Sequence, residues 1–441
     1  LADRFCEGRP IRKNGRVTDV VRVGLLGCGN VGAALVRLLD ANADLITQRA
    51  GVKLEIGRVA VHNVAKERDV DLAPGLLTND ADAVVSDPAI DVVVEVIGGV
   101  EPARSLILTA LKSGKPVVTA NKELLANFGE ELFDAAETAG VDLLFEASVA
   151  GGIPLMRPLR ESLAGERITR VMGIVNGTTN YILTRMTEEG VSYGDALAEA
   201  QSLGFAERDP TADVEGFDAG AKAAIIASIA FGAKVVAGDV YHEGISGVTE
   251  ADIAYAKRLG YVVKLLAIVE WVDDAVGVRV HPAMVPVSHP LASVRESYNA
   301  VFIEGDAVGN LMFYGRGAGG FPTASAVLGD LIDAAANLTK GSSATIGTLA
   351  TVPIRSIDDA TSEYYLNLEV ADKPGVLATV AGVFGRHGVS IRTMEQEGLE
   401  DEARLIFITH TAREADMQST LRDLRELDVV DRVVSLVRVI S

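Results

Sequence analysis

The sequence predicts an α/β fold: a doubly wound parallel sheet first, then an α+β domain, then a small ferredoxin-like βαββαβ domain. Three observations carry this. From Val20 to about residue 147, short apolar runs alternate with helical periodicity, the pattern of βαβ units whose parallel strands are covered on both faces. Past Ser148 that rhythm breaks into a mixed order of helices and strands. Beyond residue 361 six elements follow in the order βαββαβ. A length of 441 residues agrees, at roughly 150 residues per domain.

In chain order, residues 1–19 are polar and turn-rich and read as a loose N-terminal arm. VRVGLL (21–26) is a continuous buried-type strand and AALVRLLDANADLI (33–46) an amphipathic helix. Strands follow at 54–62, 91–99, 116–120 and 141–147, with helices at 103–114 and 123–140. This gives a dinucleotide-binding domain over 20–147. In the second domain, 148–315, IPLMRPLRESL reads as helix and ITRVMGIVNGT as strand. NYILTRMTEEG is a helix ended by Gly190, a long helix runs from Asp218 to about Phe231, and strands lie near 261–271 and 299–315. The GRGAGG turn then leads into a helix over 316–340 that returns to complete the first domain, and 341–361 reads as a linker before the last domain, 362–441.

Composition excludes several classes of function. The formal charge of −20 argues against nucleic acid or an anionic membrane surface as a partner, since both demand basic patches. Two cysteines, Cys6 and Cys28, cannot build a disulfide framework or a multi-cysteine zinc cluster. There is no secretory h-region and no apolar run of membrane-spanning length, Lys234 and Lys264 interrupting the best candidates. A cytoplasmic protein is expected. The six histidines form no H-E-x-x-H set, and neither a Walker A loop nor a G-x-S-x-G elbow occurs.

Gly27-x-Gly29-x-x-Gly32 lies between the first strand and the first helix. Gly27 permits the tight turn, Gly29 lets a pyrophosphate approach, and Gly32 allows close helix–strand packing, with Asn30 and Val31 opening the helix. This is the Rossmann-type signature of a dinucleotide site, with a purely structural glycine turn as the alternative. His62 and Asn63 stand where an NAD-specific acid is expected, with Arg58, Lys66 and Arg68 close by. That leans towards the 2′-phosphate of NADP and leaves NAD open. Thr119 and Lys122 follow a buried strand at the carboxyl edge of the sheet, where ligands of such folds bind, although a lysine after a strand is also a common surface feature.

Residues 206–222, AERDPTADVEGFDAGAK, crowd carboxylates ahead of one lysine, and AAIIASIAFG then turns apolar. Asp218 and Lys222 share one helical face, which fits an ordinary surface ion pair as well as a site. Acids around a lysine at the mouth of a buried helix suit a zwitterionic substrate.

VGLLGCGNVG, TANKELLA, NGTTNYIL, GFAERDPTADVEGFDAGAK and GRGAGGFPTASAV, in this order, closely resemble the homoserine dehydrogenase family over residues 20 to about 340. The resemblance implies interconversion of aspartate semialdehyde and homoserine with a nicotinamide cofactor. It implies Lys222 as the catalytic lysine and Lys122 as a second one near the nicotinamide. Glu207 would receive the substrate ammonium and Asp218 orient the substrate, with Asp213, Thr178 and Gly204 lining the pocket. Gly319 would belong to a loop closing over the cofactor. FEASVAGGI would hold a monovalent cation such as Na+ through Glu146, Val149, Gly151 and Ile153, a site that residue types alone do not suggest. VADKPGVLATVAGVFGRHGVSI (370–391) resembles an ACT domain, implying a monofunctional enzyme with threonine as effector and a homodimer or homotetramer. An ACT module serving oligomerisation alone, another amino-acid dehydrogenase on this architecture, and a non-catalytic amino-acid sensor are the alternatives.

Overall fold

A computed structural model describes residues 19–344, 346–399 and 402–440; the expected arm lies outside them but for Asp19. The chain divides into two compact units. The first takes the described residues of 1–121, 131–147 and 323–345, the second those of 122–130, 148–322 and 346–441.

The first unit contains strands β1 (Asp19–Leu26), β2 (Val52–Ala60), β3 (Leu77–Thr78), β4 (Val92–Glu95), β5 (Val117–Thr119) and β6 (Leu143–Leu144). Between them lie α1 (Asn30–Ala50), α2 (Ala81–Ser86), α3 (Ala103–Lys112) and α4 (Lys122–Ala139). All pairings are parallel and the strand order is β3-β2-β1-β4-β5-β6, the doubly wound order. The inner strands carry apolar runs because both faces are covered: Val23, Leu25, Val92, Val94 and Val118 are sealed from solvent. Each such side chain contributes roughly 1.5–3 kcal/mol by burial. The expected strands at 91–99 and 141–147 shrink to four and two residues. Ile97 and Gly98 leave the ladder to donate their N–H groups to Glu95, and Glu146–Ser148 closes into a 3-10 turn. α4 is broken at Phe128, whose backbone is not helical.

The second unit opens on β7 (Ile168–Ile174), α5 (Gly177–Glu189), α6 (Tyr193–Ser202), α7 (Thr211–Val214) and α8 (Phe217–Phe231). Next come β8 (Tyr241–His242), α9 (Glu250–Arg258), β9 (Tyr261–Val272), β10 (Ala275–Pro286), β11 (Tyr298–Gly305) and β12 (Gly309–Arg316). α10 (Gly320–Lys340) leads back to the first unit, where Ala324, Val327, Leu331 and Ala334 join the Val23 and Leu25 core. Where IPLMRPLRESL was expected to be helical, Met156 and Arg157 are α-helical and Pro158–Ser162 form a π-turn, Pro154 and Pro158 donating no backbone hydrogen bond. α6, capped by Ser192, α9, capped by Thr249, and β10 were not anticipated; Gly277, Pro282 and Pro286 mask the strand pattern of β10.

The tail follows as β13 (Thr361–Ala371), α11 (Val376–Arg386), β14 (Ile391–Leu399), β15 (Glu402–Thr409), β16 (Ala412–Arg413), α12 (Glu414–Arg425) and β17 (Val430–Val439). One 11-stranded sheet unites it with the preceding strands, nine of them in the order β12-β11-β7-β9-β10-β17-β13-β15-β14, with β8 paired to β10 and β16 to β13. The join is a short parallel pairing, Ala283 with Arg438 and Met284 with Val439. Arg438 is 2% exposed and ion-pairs Glu243 at 2.6 Å and Glu414 at 2.7 Å. The segment expected as a linker is tied down by its backbone: Ala350 donates to Gly232 (2.7 Å) and Arg355 to Val276 (2.9 Å). Among the described residues no helix is long and apolar enough to cross a membrane.

Candidate active site

In the second unit, three helix starts and one strand–turn border a cavity of about 660 Å³. Lys122 is the first residue of α4. Asn176 caps α5, its Oδ1 accepting from Thr179 N at 2.9 Å. α8 supplies Asp218 in its first turn and Lys222 one turn later. Its remaining residues explain why the helix is held firmly: Ala219, Ala223, Ala224, Ile225, Ile226 and Ala227 are buried. Gly204, Glu207 and Asp213 come from the connection between α6 and α8, and Asn299, Arg316, Gly317 and Gly319 from β11, β12 and the turn after it.

Asp218 is the hub. Its carboxylate, 6% exposed, accepts from Lys222 Nζ at 2.6 Å, from Asn176 Nδ2 at 2.8 Å, and from Lys122 Nζ. Burial pushes its pKa up, but the two ammonium groups outweigh this and hold it well below the usual carboxylate range. Asp218 was expected to orient the substrate, and both its oxygens accept from protein donors. Lys222 also donates to Val175 O at 2.7 Å. An ammonium has three donors, so one remains for a ligand. Burial opposes the charge on Lys122, yet Asp218 prevails and its pKa rises. Burial likewise raises Asp213, against the hydrogen bond it accepts from Asn176 at 2.7 Å.

Of the residues expected to meet substrate, Lys122, Lys222, Thr178, Glu207, Asp213 and Asp218 all border this one cavity, as do Gly204 and Gly319. Thr178 Oγ1 donates to Phe205 O at 2.6 Å, while Glu207 stands exposed on the rim. Asn176 and Asn299 were missed. Asn176 had a signal, an Asn directly before a helical stretch of NGTTNYIL; Asn299 had none.

The glycine loop belongs to the first unit. Gly27 has φ +97°, and a Cβ at Gly32 would lie 2.3 Å from Gly27 O, so the loop and α1 are packed too closely for side chains there. A Cβ at Gly29 would meet nothing within 4 Å. Gly29 and Asn30 are exposed at the N-terminus of α1, with Val31 half-buried behind them, leaving room for a diphosphate against free N–H groups. The residues present fit a dinucleotide. Thr119 is buried, its hydroxyl committed to Glu95 at 2.5 Å. Past β2, Arg68 donates to Asn63 O and Lys66 O at 2.6 Å, and its charge partly offsets the upward effect of burial on the Cys28 thiol. Of the proposed cation ligands, Glu146 falls in the first unit and Val149, Gly151 and Ile153 in the second, with left-handed backbone at Ala150 and Gly151. Among the described residues no group of three or more His, Cys, Asp or Glu is placed to hold a metal ion.

Comparison with known proteins agrees across the chain. A family profile described as homoserine dehydrogenase matches residues 154–332, one described as homoserine dehydrogenase, NAD binding domain, matches 27–146, and one described as ACT domain matches 364–429. The chain is 52% identical to a homoserine dehydrogenase of Corynebacterium glutamicum, over 95% of this chain and 96% of that protein. It is 43% identical to one of Bacillus subtilis, over 95% and 98%. The solved homoserine dehydrogenase of Thiobacillus denitrificans superposes with a TM-score of 0.91 at 42% identity, over 96% of this chain and 99% of that one. A hyperthermophilic archaeal homoserine dehydrogenase solved in complex with NADPH gives 0.61 at 29%, over 75% and 100%.

Proposed function

The chain belongs to the homoserine dehydrogenase family of oxidoreductases, with NAD-binding, catalytic and ACT domains, and from that premise we infer that it reduces L-aspartate 4-semialdehyde to L-homoserine in threonine and methionine biosynthesis. The observation that carries the reading is the Lys122–Asp218–Lys222 cluster, two ammonium groups on one buried carboxylate beside exposed Glu207. A nicotinamide nucleotide held at the glycine loop would supply the hydride for the aldehyde carbon. The protein's share is to hold the substrate and manage the charge. Glu207 and Asp213 take the ammonium of the amino acid. The uncommitted N–H of Lys222 meets the carbonyl oxygen, stabilises the negative charge that builds there, and gives the proton that completes the alcohol. Asp218 and Val175 O fix that ammonium in place, so little reorganisation is left for the reaction itself. In the reverse direction the neutral amine accepts the hydroxyl proton.

NADP is the favoured nucleotide: His62 and Asn63 stand where an NAD-specific acid is expected after β2, and Arg68 brings a guanidinium within electrostatic reach of Cys28 in the glycine loop. A monovalent cation such as Na+ at Glu146, Val149, Gly151 and Ile153 rests on the resemblance and on donor chemistry, a carboxylate with main-chain carbonyls being hard oxygen ligands. Threonine is the proposed effector of the C-terminal domain, where Asp372–Leu377, Gln396 and Leu405 border a cavity of about 380 Å³. A cytoplasmic homodimer or homotetramer completes the proposal.

The test is a steady-state assay of homoserine oxidation with NAD and with NADP, each with and without threonine. Turnover, faster with NADP and slowed by threonine, is expected. No turnover with either nucleotide would overturn the assignment.

A further inference from the structure

We propose that Asn299 is a ligand-binding residue of this site, its Oδ1 accepting one N–H from the molecule bound beside Lys122 and Lys222. Asn299 lies near the start of β11, is 1% exposed, and lines the same cavity as the two lysines and Glu207. Its Oδ1 is buried without a hydrogen-bond partner, and among the described residues it is the one such atom belonging to a residue that lines this cavity. A buried carbonyl oxygen left unpaired is unfavourable, and native proteins rarely tolerate it without a use.

The neighbouring groups sharpen this. Asn180, equally buried, has its amide satisfied by Glu296 O at 2.9 Å, Tyr298 O at 3.1 Å and Lys264 Nζ at 2.9 Å, as a structural asparagine should. Both oxygens of Asp218 are already engaged by protein donors, whereas Oδ1 of Asn299 is not. The amide is also held in place. It lies against Gly317, where a Cβ would come within 2.0 Å of Nδ2, so only glycine at 317 accommodates it.

An amide oxygen recognises an N–H donor, and the proposed reaction, on which this inference rests, brings two: the ammonium of the amino acid and the carboxamide of the nicotinamide. The experiment separates them. Wild type and Asn299→Ala are compared with homoserine and with its desamino analogue 4-hydroxybutyrate, and with the normal nucleotide and its 3-acetylpyridine analogue, which lacks the carboxamide N–H. The readout is kcat/KM, or an inhibition constant against homoserine where the analogue turns over slowly. With the complete pair, Asn299→Ala is expected to lose about ten- to hundredfold, and the loss should vanish with the one analogue that lacks the donor. Asn299→Asp keeps an acceptor at this position and is expected to retain most of the activity lost in the alanine variant. No loss with the complete pair, an equal loss with every pair, or an aspartate variant as impaired as the alanine one would overturn the inference. A wild type inactive on homoserine would instead overturn the function on which it rests.

Discussion

Asp218 shows how much of the site a single residue organises. Its spacing from Lys222 is visible in the sequence as a shared helical face, but Lys122 lies 96 residues away and reaches it only through the fold. Asn176 reaches the same carboxylate from a third element. Spacing therefore revealed half of the cluster, family resemblance named the second lysine, and neither disclosed the asparagine that ties them together. Asp218→Asn keeps the shape and removes the charge that fixes both ammonium groups, so kcat should fall about 10²- to 10⁴-fold, the range of a misplaced general acid, with nucleotide affinity unchanged by titration. The linkage has a definite sign. Asp218 is depressed from 3.8 in the folded protein, so its contribution to stability is present above that value and is lost as pH falls through the folded pKa. Equilibrium unfolding followed from pH 5 downward should show a smaller loss of stability in Asp218→Asn than in wild type.

At the scale of elements, α8 is pinned from the side opposite its chemistry. His242 Nε2 sits where a Cβ on Gly220 would be, at 2.0 Å, and its ring lies 5.1 Å from that of Phe217. Gly220 lies between Asp218 and Lys222, so this contact sets the height of the catalytic turn. Gly220→Ala, which in an open helix would be favourable by roughly 1 kcal/mol, should here lower both stability and kcat. Adding His242→Ala should recover part of both, measured as a double-mutant cycle. The βα alternation of the first unit was readable because strands covered on both faces must be continuously apolar. β10 and the π-turn at Pro158 were not readable, because their prolines and glycines mark turns in isolation, and only pairing with neighbours overrides that.

Across the whole molecule, the C-terminal domain is not an appendage. Its last strand, β17, extends the sheet of the catalytic domain through β10, and Arg438 carries two ion pairs at 2% exposure, one of them to Glu243 beside His242. Removing one partner from a buried ion pair typically costs about 3–5 kcal/mol. Arg438→Ala should therefore destabilise by a similar amount in denaturant unfolding. The same contacts link Arg438 to Glu243, whose neighbour His242 packs against Gly220 on α8. Sequence revealed this domain through its βαββαβ order but could not show that it docks on its own chain, because the pairing of β10 with β17 joins residues more than a hundred positions apart.

The central claim is that Lys222, held by Asp218 and Val175, is the acid of the reaction. The most direct measurement is steady-state turnover of homoserine by Lys222→Ala beside nucleotide binding by the same protein. Turnover is expected to be abolished while the dissociation constant for NADP stays near that of wild type; turnover at the wild-type rate would rule out Lys222 as the acid.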